Sequence, residues 1–241
     1  MRIAVISDIH SARAPFAAAL ADARREGFDQ LVLLGDMFTY GIEPEACADL
    51  AAAAVARDGA LLVGGNHDVL YCELADGVST YADSLPEWIR ESIDWTFQRL
   101  GRRWPDELAW VDQWAWDGML FAHANPFGFG DWTPLGDEAA LEAATCRLEE
   151  RGFRCGVFGH VHRPTRHCNA AGIESHVVGS IGQPRNREDP APQWAMIHAV
   201  ADQITVSQRR VTFDACAYRA GIQAASALSS RTRDQLCRYF A

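Results

Sequence analysis

Hydrophobic runs in this chain end, again and again, on side chains that can bind a cation. VISDIH (residues 5–10) closes on Asp8 and His10, LLGDMF puts Asp36 after a second run, and VGGNHD puts Asn66 and His67 after a third. His123 ends LFAHAN, and His160 and His162 follow CGVFGH. An aspartate after a strand is ordinarily a turn former or helix cap, and a single histidine is ordinarily a surface or hydrogen-bonded residue. That reading weakens when two Asp, one Asn and five of the eight His recur at one topological position. His167, His176 and His198 have no such company and are read as ordinary.

The mixture of groups narrows the chemistry. Imidazole and carboxylate together suit borderline divalent ions such as Mn, Fe, Ni or Zn, whereas an all-oxygen set suits Mg or Ca. No cysteine lies within these motifs, which argues against a structural thiolate zinc site. Seven candidate ligands are too many for one tetrahedral ion but suit two ions sharing a bridging carboxylate. Two ions ~3.5–4 Å apart can activate a water between them and clamp the oxygens of a phosphoryl group in line.

Such a constellation needs elements that bring distant residues to one place. RIAVIS (2–7), QLVLLG (30–35) and ALLVGG (60–65) read as buried strands. Between them, residues 14–27 and about 43–57 read as helices, with Pro15 in a first turn and Gly27 as a stop. Strand–helix alternation at this spacing means parallel βαβ units. Open parallel sheets place ligands just beyond their C-terminal strand ends, where the motifs lie. Residues 119–124 and 155–160 read as further strands and 136–152 as a helix. The stretches 174–180, 193–200 and 203–213 are β-like, and a helix from about 214 to 225 precedes a polar helical tail. From about 71 to 116 the rhythm breaks into a Trp-rich segment that looks helical, as in LPEWIRESIDWTFQRL. It is expected to be an insertion or cap within one domain spanning 1–241. Trp88, Trp95 and Trp104 are expected to fill a satellite core between its helices and the main layers, or to leave a ring exposed for substrate or a second chain.

Composition bounds the remaining possibilities. The 241 residues are 49% hydrophobic, with eight Trp and eleven Phe, which excludes a disordered chain. A net charge of −10 disfavours long nucleic acid and anionic membrane as partners. It does not forbid a phosphate substrate, because bound cations reverse the local field. The sequence has no 18-residue apolar run to span a bilayer, and the N-terminus reads directly as a strand, so neither a membrane span nor a signal peptide is expected. The seven cysteines are scattered and never form CxxC, so reduced thiols in the cytoplasm are expected.

The motifs DIH (8–10), GDMF (35–38), GNHD (65–68), HANP (123–126) and GHVH (159–162) together resemble a known series. It is the D-x-H, G-D, G-N-H-D/E, H and G-H-x-H order of the calcineurin-like metallophosphoesterases, matched from residue 2 to about 200. The closer resemblance is to bacterial phosphoesterases of the YfcE-like and diadenosine-tetraphosphatase-like kind. GSIGQPRNREDPAPQWAM (179–196) resembles their G-S-x-G-Q-P-R segment, and RRVTFDACAYRAGIQAA their C-terminal strand and helix. The resemblance implies a four-layer α-β-β-α sandwich of two mixed β-sheets flanked by helices. It implies that Asp8, His10 and His162 hold one metal, Asn66, His123 and His160 the other, and Asp36 bridges them. It also makes His67 the catalytic imidazole facing the scissile phosphate.

The implied activity is hydrolysis of a phosphoester by two divalent ions, Mn2+ first and Fe, Ni or Zn next, with a hydroxide bridging them as nucleophile. A small phosphodiester or nucleotide is the expected substrate. A protein serine/threonine phosphatase and a catalytically silent metal-binding scaffold are the alternatives, and a homo-oligomer could form through the Trp-rich segment. Departures from the family pattern bear on substrate choice. SARAP follows the first motif where many relatives have Gly-Asn, HANP replaces H-G-S-P, and VVGS replaces N-P-G-S. Trp132, in a glycine-rich and therefore adaptable loop, is expected as a substrate-facing ring. Arg185 is expected either to meet a substrate phosphate or to brace its loop.

Overall fold

The structure, a computed structural model, describes residues 1–101, 108–201 and 203–240. Five elements come first: β1 (Arg2–Ile6), α1 (Arg13–Glu26), β2 (Gln30–Leu34), α2 (Pro44–Asp58) and β3 (Leu61–Val63). Pro15 lies in the first turn of α1 and Pro44 opens α2, where a missing N–H costs nothing. Gly59 ends α2 in the left-handed region, the usual helix stop. Next come α3 (Asn66–Ala75), α4 (Thr80–Ser84), α5 (Glu87–Leu100), β4 (Trp110–Val111), β5 (Trp114–Trp116) and β6 (Met119–Phe121). The chain continues with α6 (Glu138–Glu150), β7 (Cys155–Phe158), β8 (Thr165–Cys168), β9 (Glu174–Val177), β10 (Gln193–Val200) and β11 (Gln203–Arg210). Helices α7 (Ala215–Ala224) and α8 (Ser230–Cys237) and a 3-10 turn at Arg238–Phe240 follow.

Two mixed sheets form, one of order β11-β10-β1-β2-β3-β4 and one of order β5-β6-β7-β9-β8. Strands β1 to β4 run parallel, as do β6, β7 and β9, while β10, β11, β5 and β8 join antiparallel. The period-2 alternation of a strand divides the side chains between layers. Ile3, Val5, Val32, Leu34 and Val63 face Met119, Phe121, Cys155 and Val157 between the sheets. Ala4, Ile6, Leu31, Leu33 and Leu62 point the other way, under α1, α2 and α5. On the second sheet Leu120 and Phe158 pack beneath Leu141, Ala144 and Leu148 of α6. Strands buried on both faces explain the near-continuous apolar runs, and the result is the α-β-β-α sandwich.

The Trp-rich segment departs from its helical expectation. Its last part is strand: Trp110 lies on the edge strand β4, and Trp114 and Trp116 on the edge strand β5. Alternating WxW on a half-buried edge satisfies strand periodicity better than helical periodicity. Trp88 and Trp95 of α5 pack in a cluster with Tyr218, Ile222, Leu236 and Phe240 of the C-terminal segment and with Ala12 and Tyr40 of the main fold, the Trp88 and Tyr40 ring centroids lying 5.7 Å apart. The Glu91 carboxylate reinforces this junction by accepting from Ser229 N and the Ser229 hydroxyl at the start of α8. Trp104 lies outside the described residues. Strand β8 was not expected either, being three polar residues and a cysteine, TRHC, on a sheet edge.

Candidate metal centre

The turns after β1, β2, β3, β6 and β7 converge at one end of the sandwich. Asp8, His10, Asp36 and His162 present ligand atoms all within 4.8 Å of one another, and Asp36, His123 and His160 do the same. Asp36 belongs to both groups. Asn66 joins the second group, with Oδ1 3.2 Å from His123 Nε2. All seven are buried except His160, which is half-buried.

The backbone here is held in a conformation that side chains avoid. Asp8, His10, Asp36, His160 and His162 all have φ between 49° and 66°, in the left-handed region. Each such residue costs about 1–3 kcal/mol and persists only where its surroundings over-determine it. Cross-loop hydrogen bonds supply that determination. His10 N donates to Asp36 O at 2.9 Å, Gly182 N to Asp8 O at 2.8 Å, and Arg185 N to His162 O at 3.1 Å. His160 N donates to the Asp8 carboxylate at 3.2 Å. The motif glycines permit the close approach: a Cβ on Gly65 would collide with Asp36 Oδ1, and one on Gly159 with the Ser7 hydroxyl.

Hydrogen bonds also define the histidine tautomers. His10 Nδ1 lies 2.9 Å from Phe38 O, His123 Nδ1 2.8 Å from Leu34 O, and His162 Nδ1 3.1 Å from Gln183 O. A carbonyl only accepts, so each Nδ1 carries a proton and each ring turns Nε2, the atom whose lone pair can bind a metal, inward. There His10 Nε2 and His162 Nε2 stand 3.2 Å apart, and His162 Nε2 is 3.1 Å from Asp8 Oδ1. His123 Nε2 is 3.3 Å from Asp36 Oδ2. Inward-facing ring nitrogens and carboxylate oxygens thus crowd together, an arrangement that calls for positive charge among them, whether a proton on His123 or a bound cation. The donor set, imidazole with carboxylate and one amide oxygen, therefore fits two borderline divalent ions.

The electrostatics agree. Burial opposes charge on Asp8, but His162 and then His123 overcome it and hold the carboxyl below the usual range. Burial opposes charge on Asp36 too, and His123 with His67 overcomes it. Burial and the neighbouring histidines push His10 well down, and His160 down to about 4. His123 goes the other way: despite burial, Asp36 and Asp8 push it up to about 10. The proton that His123 attracts and a divalent cation compete for the same field.

The other expected residues have distinct places. His67 is buried, with its N–H donating to Asp36 Oδ1 at 2.8 Å, and its ring Nδ1 has no partner. Trp132 is half-buried, its ring edge-on to His123 with centroids 6.2 Å apart and to Phe129 at 5.3 Å. Its loop is pinned despite the glycines, because Asn125 Nδ2 donates to Asp131 O at 2.9 Å and Thr133 O at 3.0 Å. Asn125 in HANP thus closes the loop. Arg185 is exposed and its guanidinium donates to Gln183 Oε1.

Four further residues belong to the site and were not anticipated. The Ser7 hydroxyl lies 2.7 Å from Asp8 Oδ2. Asp68 accepts from Asp36 N and Gly65 N at 2.8 Å and from Met37 N at 3.0 Å, tying two ligand turns together. Its position three residues after Gly65, at the start of α3, was the available signal. Tyr40 packs edge-on against His10, with its hydroxyl 3.4 Å from His67 Nε2. Tyr81 of α4 accepts from Asn66 Nδ2 at 3.3 Å.

Fold and site together define a metallophosphoesterase-type hydrolytic site with two clusters of metal-ligating residues. The family model for calcineurin-like phosphoesterases matches residues 1–164, and the chain belongs to that family. An uncharacterised protein of Methanocaldococcus jannaschii, MJ0912, is 34% identical over 129 residues, 52% of this chain. The match spans about half of that relative, 49% of its length. A metallophosphoesterase from Sphaerobacter thermophilus shares the fold at TM-score 0.75 and 22% identity, over 99% of this chain and 100% of its own. The hypothetical protein PH1004 from Pyrococcus horikoshii does so at TM-score 0.81 and 18% identity, over 98% and 97%. No helix among the described residues is long and apolar enough to cross a membrane.

Proposed function

We propose that this protein hydrolyses a small phosphate ester, a phosphodiester or nucleotide, with two divalent ions. Asp8, His10 and His162 would hold one ion, Asn66, His123 and His160 the other, and Asp36 both. The inward Nε2 atoms, with one carboxylate shared between two groups, carry this reading. Ions bound there would activate a water and neutralise charge on the phosphoryl oxygens. Manganese is the first ion proposed, and iron, nickel or zinc would suit the same mixed nitrogen and oxygen donors.

The protein's own groups supply the rest. The His67 backbone N–H donates to Asp36 Oδ1, which orients the shared carboxylate. Its buried, unpartnered Nδ1 is available to protonate the leaving oxygen. Tyr40 closes over His10 and His67 and keeps bulk water from both rings. Trp132 offers a ring beside His123 for a base, and Arg185 an exposed cation beside the His162 turn. The QPR segment that bears Arg185 also supports a YfcE-like or diadenosine-tetraphosphatase-like relationship.

Turnover of manganese-reconstituted protein tests the reading. The panel contains aryl phosphomonoesters, aryl phosphodiesters, cyclic nucleotides, dinucleoside polyphosphates and a phosphopeptide. Hydrolysis of small esters that is abolished by chelation is expected. Hydrolysis of the phosphopeptide alone would replace the small-molecule reading, and no turnover with both ions bound would leave a metal-binding scaffold.

A further inference from the structure

We propose that Tyr81 is a specificity residue that contacts substrate, donating its phenol O–H to a non-bridging oxygen of the bound phosphate. This rests on the phosphoester-hydrolase reading above. Asn66 Nδ2 donates to the Tyr81 hydroxyl oxygen at 3.3 Å. Asn66 has no other way to use that contact, so Tyr81 is the acceptor and its own proton is unspent. Among the described residues no second polar group reaches this oxygen. The other end of the same amide, Oδ1, stands 3.2 Å from His123 Nε2. The phenol oxygen is therefore one amide group away from the second set of metal-ligating atoms.

A tyrosine that merely braced Asn66 would be buried with its proton satisfied. Tyr71 shows that form in the same molecule: it is 0% exposed and its hydroxyl pairs with Thr39 Oγ1 at 2.8 Å. Tyr81 is 38% exposed. It has an open ring, a hydroxyl turned toward the site and a spare donor. Its helix, α4, lies between α3 and α5 in the segment that interrupts the strand–helix rhythm. Trp132 abuts His123 and Tyr81 abuts Asn66. The Asn66–His123 pair thus has an indole beside one member and a hydrogen-bond donor beside the other. An oxyanion is the ligand chemistry that uses a donor placed beside cation-binding atoms.

The test uses Tyr81→Phe in the full chain loaded with manganese, because the ring stays and only the donor is lost. Calorimetry with inorganic phosphate as probe reads binding without turnover, and steady-state kinetics with an aryl phosphodiester separate KM from kcat. The phosphate Kd and the KM are each expected to rise about tenfold, the low end for a hydrogen bond to a charged acceptor. The loss should fall on these quantities rather than on kcat or manganese content. Unchanged phosphate affinity and KM in an active wild-type background would overturn the inference alone. Reduced manganese content with native phosphate affinity would also overturn it and leave Tyr81 as a brace for Asn66. A wild-type protein that neither binds phosphate nor hydrolyses any ester would remove the hydrolase reading and this inference with it.

Discussion

Removing one buried hydroxyl should weaken metal binding without touching a ligand. Ser7 is fully buried, its hydroxyl 2.7 Å from Asp8 Oδ2 and 3.0 Å from the Leu34 carbonyl. One proton cannot serve both acceptors, and the nearer, charged one is the stronger. Ser7→Ala keeps nearly the same volume and leaves Asp8 with the longer contacts from His160 N, at 3.2 Å. A hydrogen bond to a charged group contributes about 1.5–3 kcal/mol. A cation beside Asp8 takes up part of its charge, so the low end applies: about 1.5 kcal/mol, or roughly tenfold weaker binding. That lies at the lower limit of the 10–100-fold range for groups that orient a metal ligand. Competition of manganese against a fluorescent chelator measures it. Ser11→Ala is the control, because the Ser11 hydroxyl is buried without a partner, and its affinity should stay within about twofold of native. Native manganese affinity in Ser7→Ala, with lowered thermal stability, would show that the proton goes to Leu34 and refute the argument.

Asp36→Asn should lose both ions and Asp8→Asn chiefly one, read as metal per chain after extensive dialysis; an Asp36 variant with both ions and near-native turnover would exclude a shared carboxylate. His67→Ala should keep its metals and lose turnover by ~10²–10⁴, with the smaller loss on nitrophenyl esters. Equal losses on nitrophenyl and alkyl esters would argue against proton donation. Trp132→Ala should raise the KM for a nucleotide by about tenfold, since base stacking contributes ~1–3 kcal/mol, while an aryl phosphate is scarcely affected; matching losses would reduce Trp132 to loop packing. Gly65→Ala should cost about 1–3 kcal/mol of stability and lower metal content, because its Cβ meets Asp36. Native melting temperature and metal content together would show that the turn adapts.

Much of this was legible because local patterns and global arrangement agree. The runs ending at Ser7, Leu34 and Val63 are apolar on both faces, so they read as covered strands, and their ends are where a parallel sheet exposes its loops. Pairings such as β8 with β9 were less visible, since TRHC carries little hydrophobic signal and takes its strand form from a neighbour. Trp110, Trp114 and Trp116 misled for the opposite reason: their size suggested a helical core, while their alternation belongs to sheet edges. Tyr40 could not be seen from propensity, because its backbone, at φ 67°, is held by a bond from its N–H to the Ser92 hydroxyl on the distant helix α5. Tyr81 reaches the site from a separate helix, a proximity that only the fold creates.

The interleaving of β1 between β2 and β10 has a consequence for how the protein is made. The Asp8 turn is tied by Ser180 and Gly182, and β1 gains its second neighbour only when Gln193–Val200 has been synthesised. At ~5–20 residues per second, the ribosome needs about 10–40 s to travel from Asp8 to that strand. Throughout that interval the nascent chain carries an open β1 edge, and until His162 emerges it cannot complete the first cluster. A cation at the first cluster can therefore find its full ligand set only after His162 has emerged, too late to guide the pairing of β1 with β2. Early protection of the β1 edge falls to whatever shields the emerging chain until β10 arrives.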